Sequence, residues 1–87
     1  MLDQSSQPVS WALLLYQLDD AGEHLAALMR QMNEHGRIDE EDYRIQLGHV
    51  YAHLNRAWNS RCSDSESATE RDFTHWSRFP DDLNPIG

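Results

Sequence analysis

The first half of the chain repeats small or apolar residues at alternating intervals of three and four. These intervals keep the residues on one face of an α-helix, as at the a and d positions of a heptad lettered a to g. We therefore predict a helix with Ser10 as its N-cap that ends before Gly36, which suits the left-handed position after a helix. Its stripe consists of Trp11, Leu14, Leu18, Ala21, Leu25, Leu28 and Met32.

A second stripe of the same kind follows Gly36 after a short connection. Asp39 is predicted to cap this helix, and Asp42, three residues later, fits a carboxylate form of the capping box. Because the connection is so short, the two helices should be antiparallel neighbours, and residues 10–61 are predicted to form a helical hairpin. The second stripe consists of Tyr43, Leu47, Val50, Leu54 and Ala57.

The two ends of the chain lack these stripes. Residues 1–9 are polar and contain a proline, which predicts a flexible arm, and residues 62–68 are rich in serine, which predicts a linker. Thr69 and Asp72 fit another capping box, so residues 69–87 should hold a short helix and an irregular tail. The fold class is therefore all-α, a helical hairpin plus a short C-terminal helix.

The residues beside the stripes differ between the two sides of the predicted hairpin. With Trp11 and Leu47 at a positions, the e positions are largely apolar, whereas the g positions carry mostly glutamine and histidine. An apolar face wider than the a/d stripe is typical of bundles with more than two helices. We therefore predict a homodimer in which two hairpins form a four-helix bundle. The predicted dimer interface consists of Leu15, Met29, Tyr51 and Trp58.

Two further contacts follow from the pattern. Gly22 lies inside the first predicted helix, where glycine is less favourable than alanine by about 1 kcal/mol, so we expect it to mark a close helix contact. Phe73, Trp76 and Phe79 recur every third residue. Because burial of aromatic side chains is favourable, this segment should dock on the open end of the hairpin and cover Leu13.

One group of side chains is a weak candidate for a metal site. His49 and His53 are four residues apart, on one face of a helix. Folding of the hairpin brings His24 near them, and Asp20 lies one turn before His24. Three histidines from two helices are able to hold zinc or a similar ion. Solvated histidines on a polar face are the simpler interpretation, and the sequence favours it, so no metal or cofactor is expected.

Composition narrows the class of partner. A net charge of −8 with only seven basic residues disfavours binding to nucleic acid phosphates. The longest strongly apolar run, Trp11 to Tyr16, is far shorter than the roughly 18 residues of a membrane span. No basic residue precedes Arg30, so a secretory signal is not expected. Cys62 is the single cysteine, which is typical of a reducing compartment such as the cytoplasm.

These patterns predict a non-enzymatic structural or protein-interaction module that acts as a homodimer, with no catalytic residue. One alternative is an acidic adaptor or inhibitor that covers a basic surface on an unidentified protein partner. Another is a small metal-binding protein that uses the histidines.

Overall fold

Three α-helices and no strand form the parts of the chain that the structure, a computed structural model, describes: residues 2–63 and 69–87. The first two helices pack along each other as a hairpin, and the third packs against the second. The all-α class and the hairpin are thus confirmed. Most of the predicted linker, residues 64–68, lies outside the described residues, as does Met1. In chain order the helices are α1 (Pro8–His35), α2 (Glu40–Asn59) and α3 (Glu70–Trp76).

The turn of the hairpin follows the local sequence signals. Gly36 has a φ of 67°, the left-handed conformation predicted for it, and its backbone N–H donates to the carbonyl of Met32. Asp39 caps α2, since its carboxylate accepts hydrogen bonds from the backbone N–H groups of Glu41 and Asp42. The left-handed glycine and the capping aspartate together reverse the chain between the two helices.

The start of α1 differs from the prediction. The helix begins at Pro8, and proline is favoured in the first turn because its fixed φ is already helical. Ser10 is therefore inside the helix and is not its N-cap. It is buried, and its hydroxyl donates to the backbone carbonyl of Ser63. This hydrogen bond joins the first turn of α1 to the chain just after α2.

The seam between α1 and α2 runs along the d and g positions and not, as predicted, along a and d. The d residues Ala21, Leu28 and Val50 are buried. At the g positions His53 is also buried, and the glutamines there are half-buried. The expectation of a solvated flank at g was therefore wrong. Four apolar a residues lie outside the seam and are at least 39% exposed: Leu18, Leu25, Met32 and Leu54.

Polar side chains occupy the seam because they satisfy one another. The amide of Gln46 donates to Gln31 Oε1 at 2.8 Å, and the amide of Gln31 donates to the carboxylate of Asp42 at 3.1 Å. Burial of a polar group costs little when its hydrogen bonds are made within the protein. The predicted capping box forms only in part, because Asp39 accepts from the Asp42 N–H while the Asp42 carboxylate is engaged by the two glutamines. These hydrogen bonds from Gln31 and Gln46 hold the pKa of Asp42 below the ordinary value.

The C-terminal segment docks at the open end of the hairpin, but on α2 alone. The Thr69–Asp72 capping box starts α3 as predicted. The side chain of Asn59 then donates to the carbonyls of Trp76 and Arg78, each at 2.8 Å. Leu13 on α1 stays 52% exposed, so its predicted cover is absent.

Gly22 does not mark a close contact within the chain. A Cβ built at this position would meet nothing within 4 Å. The predicted approach of the two helix backbones at Gly22 was therefore wrong. The reason is the position of the seam, because an e residue lies far from a seam built on d and g.

Candidate functional site

An exposed apolar face covers one side of the hairpin. With the seam at d and g, the a and e positions of both helices lie on the same side of the hairpin. We refer to the a and e residues of α1 and α2 as the apolar face. Its large apolar side chains, between 39% and 56% exposed, are Leu15, Leu18, Leu25, Met29, Met32, Tyr51 and Leu54.

The four residues predicted from the sequence for a dimer interface all belong to the apolar face. Leu15, Met29 and Tyr51 are open to solvent. Trp58 is half-buried, because its Nε1–H donates to the carboxylate of Asp82 at 2.9 Å and the guanidinium of Arg61 lies 3.6 Å over its ring. The tail thus covers the end of the face at Trp58, while the part of the face on α1 stays open.

The charge distribution separates this face from the rest of the surface. The chain has 15 acidic residues, yet only Glu40 occupies an a or e position of α1 and α2. Arg44 is the other charged residue at these positions, and both lie at the start of α2, near one end of the face. Its middle is therefore apolar although the protein as a whole is strongly acidic.

The C-terminal tail extends the apolar face. The ring of Phe79 lies 5.3 Å from that of Tyr51, centroid to centroid. Leu83 and Ile86 line an open groove between the tail and α2, and their side chains are 46% and 98% exposed. The sequence analysis did not identify Leu83 or Ile86, because no periodic pattern in the tail singles them out.

A second feature is the histidine cluster, which we define as His24, His49 and His53. The ring centroids of His24 and His49 are 4.1 Å apart, and both lie within 5.2 Å of the His53 ring. One possible ligand nitrogen from each ring lies within 4.8 Å of the other two. The structure thus brings together the three histidines that the sequence placed near one another.

His53 is the buried member of the cluster, with 7% of its surface exposed. Its Nδ1 lies 2.8 Å from Gln17 Oε1, which also accepts from the Nε–H of Arg56 at 3.3 Å. Nδ1 also lies 3.0 Å from Nη2 of Arg56, which only donates, whereas the amide oxygen of Gln17 only accepts. The two contacts therefore call for opposite tautomers, and the shorter one, to Gln17, is satisfied when Nδ1 carries the proton. Nε2 then carries a lone pair, and it is buried without a hydrogen-bond partner among the described residues.

The surroundings of His53 favour its neutral form. Burial lowers the pKa of His53, and the nearby charges of Arg56 and His49 lower it further. The carboxylate of Asp20 acts in the opposite direction, and His24 adds a smaller lowering effect. A neutral imidazole is the form that binds a metal ion.

Asp20 does not join the histidine cluster as a ligand. Its carboxylate groups with those of Asp19 and Glu23, while the histidines form a group of their own. Asp20 acts on the cluster through its charge, which also opposes the lowering of the pKa of Arg56 by burial. The sequence analysis missed Gln17 and Arg56 as partners of His53, because it placed the g positions on a solvated flank.

Comparisons of the chain with protein-family models, curated proteins and solved structures found no match. No described helix is both long enough and apolar enough to cross a membrane.

Proposed function

We propose that this protein is a non-enzymatic protein-interaction module that works as a homodimer, in which the apolar faces of two hairpins meet in a four-helix bundle. The observation that carries the proposal is the imbalance between core and surface. Among the described residues, the buried apolar side chains are those of Ala21, Leu28 and Val50, whereas the apolar face stays open.

The energetic argument favours a partner for this face. Full burial of a leucine or methionine side chain stabilises a protein by about 1.5–3 kcal/mol. A chain of 87 residues is close to the size below which a single core is marginal, and this core contains one leucine, one valine and one alanine. Pairing of the apolar faces removes several large side chains from water at once.

The shape of the face favours a second copy of the chain as the partner. On α1 the face runs from Leu15 to Met32, a length of about 26 Å at the helical rise. A second hairpin offers apolar surface of the same length, and two-fold pairing of identical surfaces is the commonest homo-oligomer arrangement. Because the acidic residues are kept off the middle of the face, two chains of net charge −8 meet there without opposing carboxylates.

The distribution of acidic residues also weighs against the alternative of an acidic adaptor that covers a basic protein surface. A basic partner would be attracted by carboxylates, and these lie mostly on the other sides of the hairpin. An adaptor of that kind would leave the apolar face in water. We place the protein in the cytoplasm, a proposal supported by its single cysteine, Cys62, which is exposed and free.

Sedimentation equilibrium at micromolar concentration tests the dimer with two matched variants. Leu15→Glu puts a charge on the apolar face, and Leu13→Glu puts the same charge on the opposite side of the same helical turn. The two leucines are 53% and 52% exposed, so the substitutions are alike in every other respect.

The expected result is a mass of two chains for the unmodified protein and for Leu13→Glu, and of one chain for Leu15→Glu. A measured mass of one chain for the unmodified protein would overturn the proposal. Equal behaviour of the two variants would show that the copies associate through some other surface.

A further inference from the structure

We propose that His24, His49 and His53 form a binding site for a divalent first-row transition metal ion, with zinc as the physiological ion, which links α1 to α2. This site goes beyond the proposed homodimer. The histidines occupy g and c positions, on the side of the hairpin away from the apolar face. Metal binding and dimer formation are therefore independent of each other.

The cluster supplies the ligands that such ions prefer. Zinc, nickel and copper bind neutral imidazole nitrogen, and three histidines with an open fourth position are a known zinc ligand set. Tetrahedral zinc with Zn–N bonds of about 2.0–2.1 Å needs ligand nitrogens about 3.3 Å apart. In this structure the three nitrogens lie within 4.8 Å of one another, so small side-chain rotations bring them into range.

His53 is the ligand that is already in place. Its ring is buried, and Nε2 has no hydrogen-bond partner among the described residues. Buried polar atoms are nearly always paired, so an orphaned nitrogen with a free lone pair needs an explanation. A metal ion at the centre of the cluster satisfies this atom.

Gln17 supports His53 in this role. In the tautomer that satisfies its 2.8 Å contact, the proton is on Nδ1 and the lone pair of Nε2 is left for a metal ion; Nη2 of Arg56, 3.0 Å from Nδ1, then has to turn away. Metal-binding histidines commonly donate their other N–H to an oxygen that fixes the tautomer and the ring orientation. The charge of Arg56 opposes a bound cation, and the carboxylate of Asp20 offsets it.

His24 and His49 are the adjustable ligands. Each ring is within 19° of parallel to the His53 ring, whereas the lone pairs of three ligands must converge on one ion. His49 is exposed and His24 is half-buried, so neither ring is fixed by full burial as the ring of His53 is. Because His24 comes from α1 and the other two come from α2, the bound ion ties the two helices together.

Titration of the untagged full chain with Zn²⁺ in a chelator-buffered solution tests the site. We expect one ion per chain and a rise in the melting temperature of about 10 °C or more at zinc a hundredfold above the dissociation constant. His49→Ala should weaken binding at least tenfold. His75→Ala removes an exposed histidine of α3 and should leave zinc affinity unchanged.

Three results would overturn the site: no stoichiometric binding, binding without a rise in the melting temperature, or equal weakening in both variants, which indicates adventitious surface histidines. His49 is exposed, so its alanine variant should keep its helical circular dichroism. The Leu15→Glu variant distinguishes the metal site from the proposed homodimer. This variant is expected to be a single chain, and it should still bind one ion.

Discussion

The side-chain oxygen of Gln17 lies 2.8 Å from Nδ1 of His53, and the contact joins α1 to α2 inside the hairpin. Both residues occupy g positions, where the sequence predicted a flank open to water. Their contact shows how the seam accommodates polar residues, since each one is paired across it. Three of the leucines at the a positions, Leu18, Leu25 and Leu54, are consequently left on the outside.

Replacement of Gln17 by alanine should destabilise the hairpin by about 1–3 kcal/mol, because it leaves buried polar groups on His53 and Arg56 without their shared acceptor. Urea unfolding followed by circular dichroism measures the change. Gln4→Ala is the control, because Gln4 is exposed before the first helix and its loss should change the free energy of unfolding by less than about 0.5 kcal/mol. Equal stability of the two variants would contradict the role assigned to the Gln17–His53 contact.

Acidification should weaken the metal-free protein through His53. Its pKa is lower in the folded chain than in the unfolded chain, so the unfolded state binds the proton more readily. Stability is therefore fully present above pH about 6.5, the ordinary histidine pKa, and decreases as the pH falls through the lowered folded value. Urea unfolding between neutral pH and pH 5, with a chelator present, measures this loss.

Two histidine variants test whether His53 causes that pH dependence of stability. His53→Gln should flatten the profile in this range, whereas His75→Ala should keep it. The carboxylates with lowered pKa, such as Asp72 beside Thr69, lose their contribution at more acidic pH, and so their effect is separate. If the stability of His53→Gln depends on pH as that of the unmodified protein does, other groups control stability between neutral pH and pH 5.

Removal of the Asn59 side chain should loosen the C-terminal segment on α2, where Asn55 and Arg56 also donate hydrogen bonds to Ser77. Its amide donates to two backbone carbonyls, those of Trp76 and Arg78, and α2 is the one described helix that packs against α3. Asn59→Ala should shift the tryptophan emission to longer wavelength and accelerate tryptic cleavage at Arg78. Asn33→Ala, at an exposed position on α1, should do neither. Identical digestion patterns would mean that other contacts hold the segment.

Two glycines should respond to alanine in opposite ways. Gly48 lies inside α2 with nothing within 4 Å of an added Cβ, so Gly48→Ala should stabilise the chain by about 0.5–1 kcal/mol. Gly36 has a φ of 67°, where alanine is strained, so Gly36→Ala should destabilise it by about 1 kcal/mol. Thermal unfolding of the two variants side by side checks the signs. A loss of stability in Gly48→Ala would reveal a contact at that surface in the assembled protein.

Local signals in the sequence predicted the helix ends well. Asp39, Gly36 and the Thr69–Asp72 pair each act on backbone groups a few residues away, so their effect does not depend on the rest of the fold. Ser10 is the exception. Pro8 provides an earlier start for α1, and the serine hydroxyl is satisfied by Ser63, a residue far along the chain.

The position of the seam was not predictable from the same pattern. The choice between an a/d seam and a d/g seam depends on whether the glutamines and histidines at g find partners on the other helix. Gln31 finds Gln46, and Gln17 finds His53, and neither pairing is visible in the spacing of apolar residues. The pairing of the two helices about the turn did predict that His24 lies near His49 and His53, but not that His53 is buried.

The hydrogen bond from Ser10 to Ser63 has a consequence for the direction in which the hairpin extends. The chain enters and leaves the hairpin at one end, so the N-terminal arm and the C-terminal segment are both attached there. The opposite end, around Gly36, lies roughly the length of α1 away from this contact, about 40 Å at the helical rise. This end is therefore the part of the hairpin furthest from the Ser10–Ser63 contact, and it concentrates four consecutive acidic residues, Asp39 to Asp42.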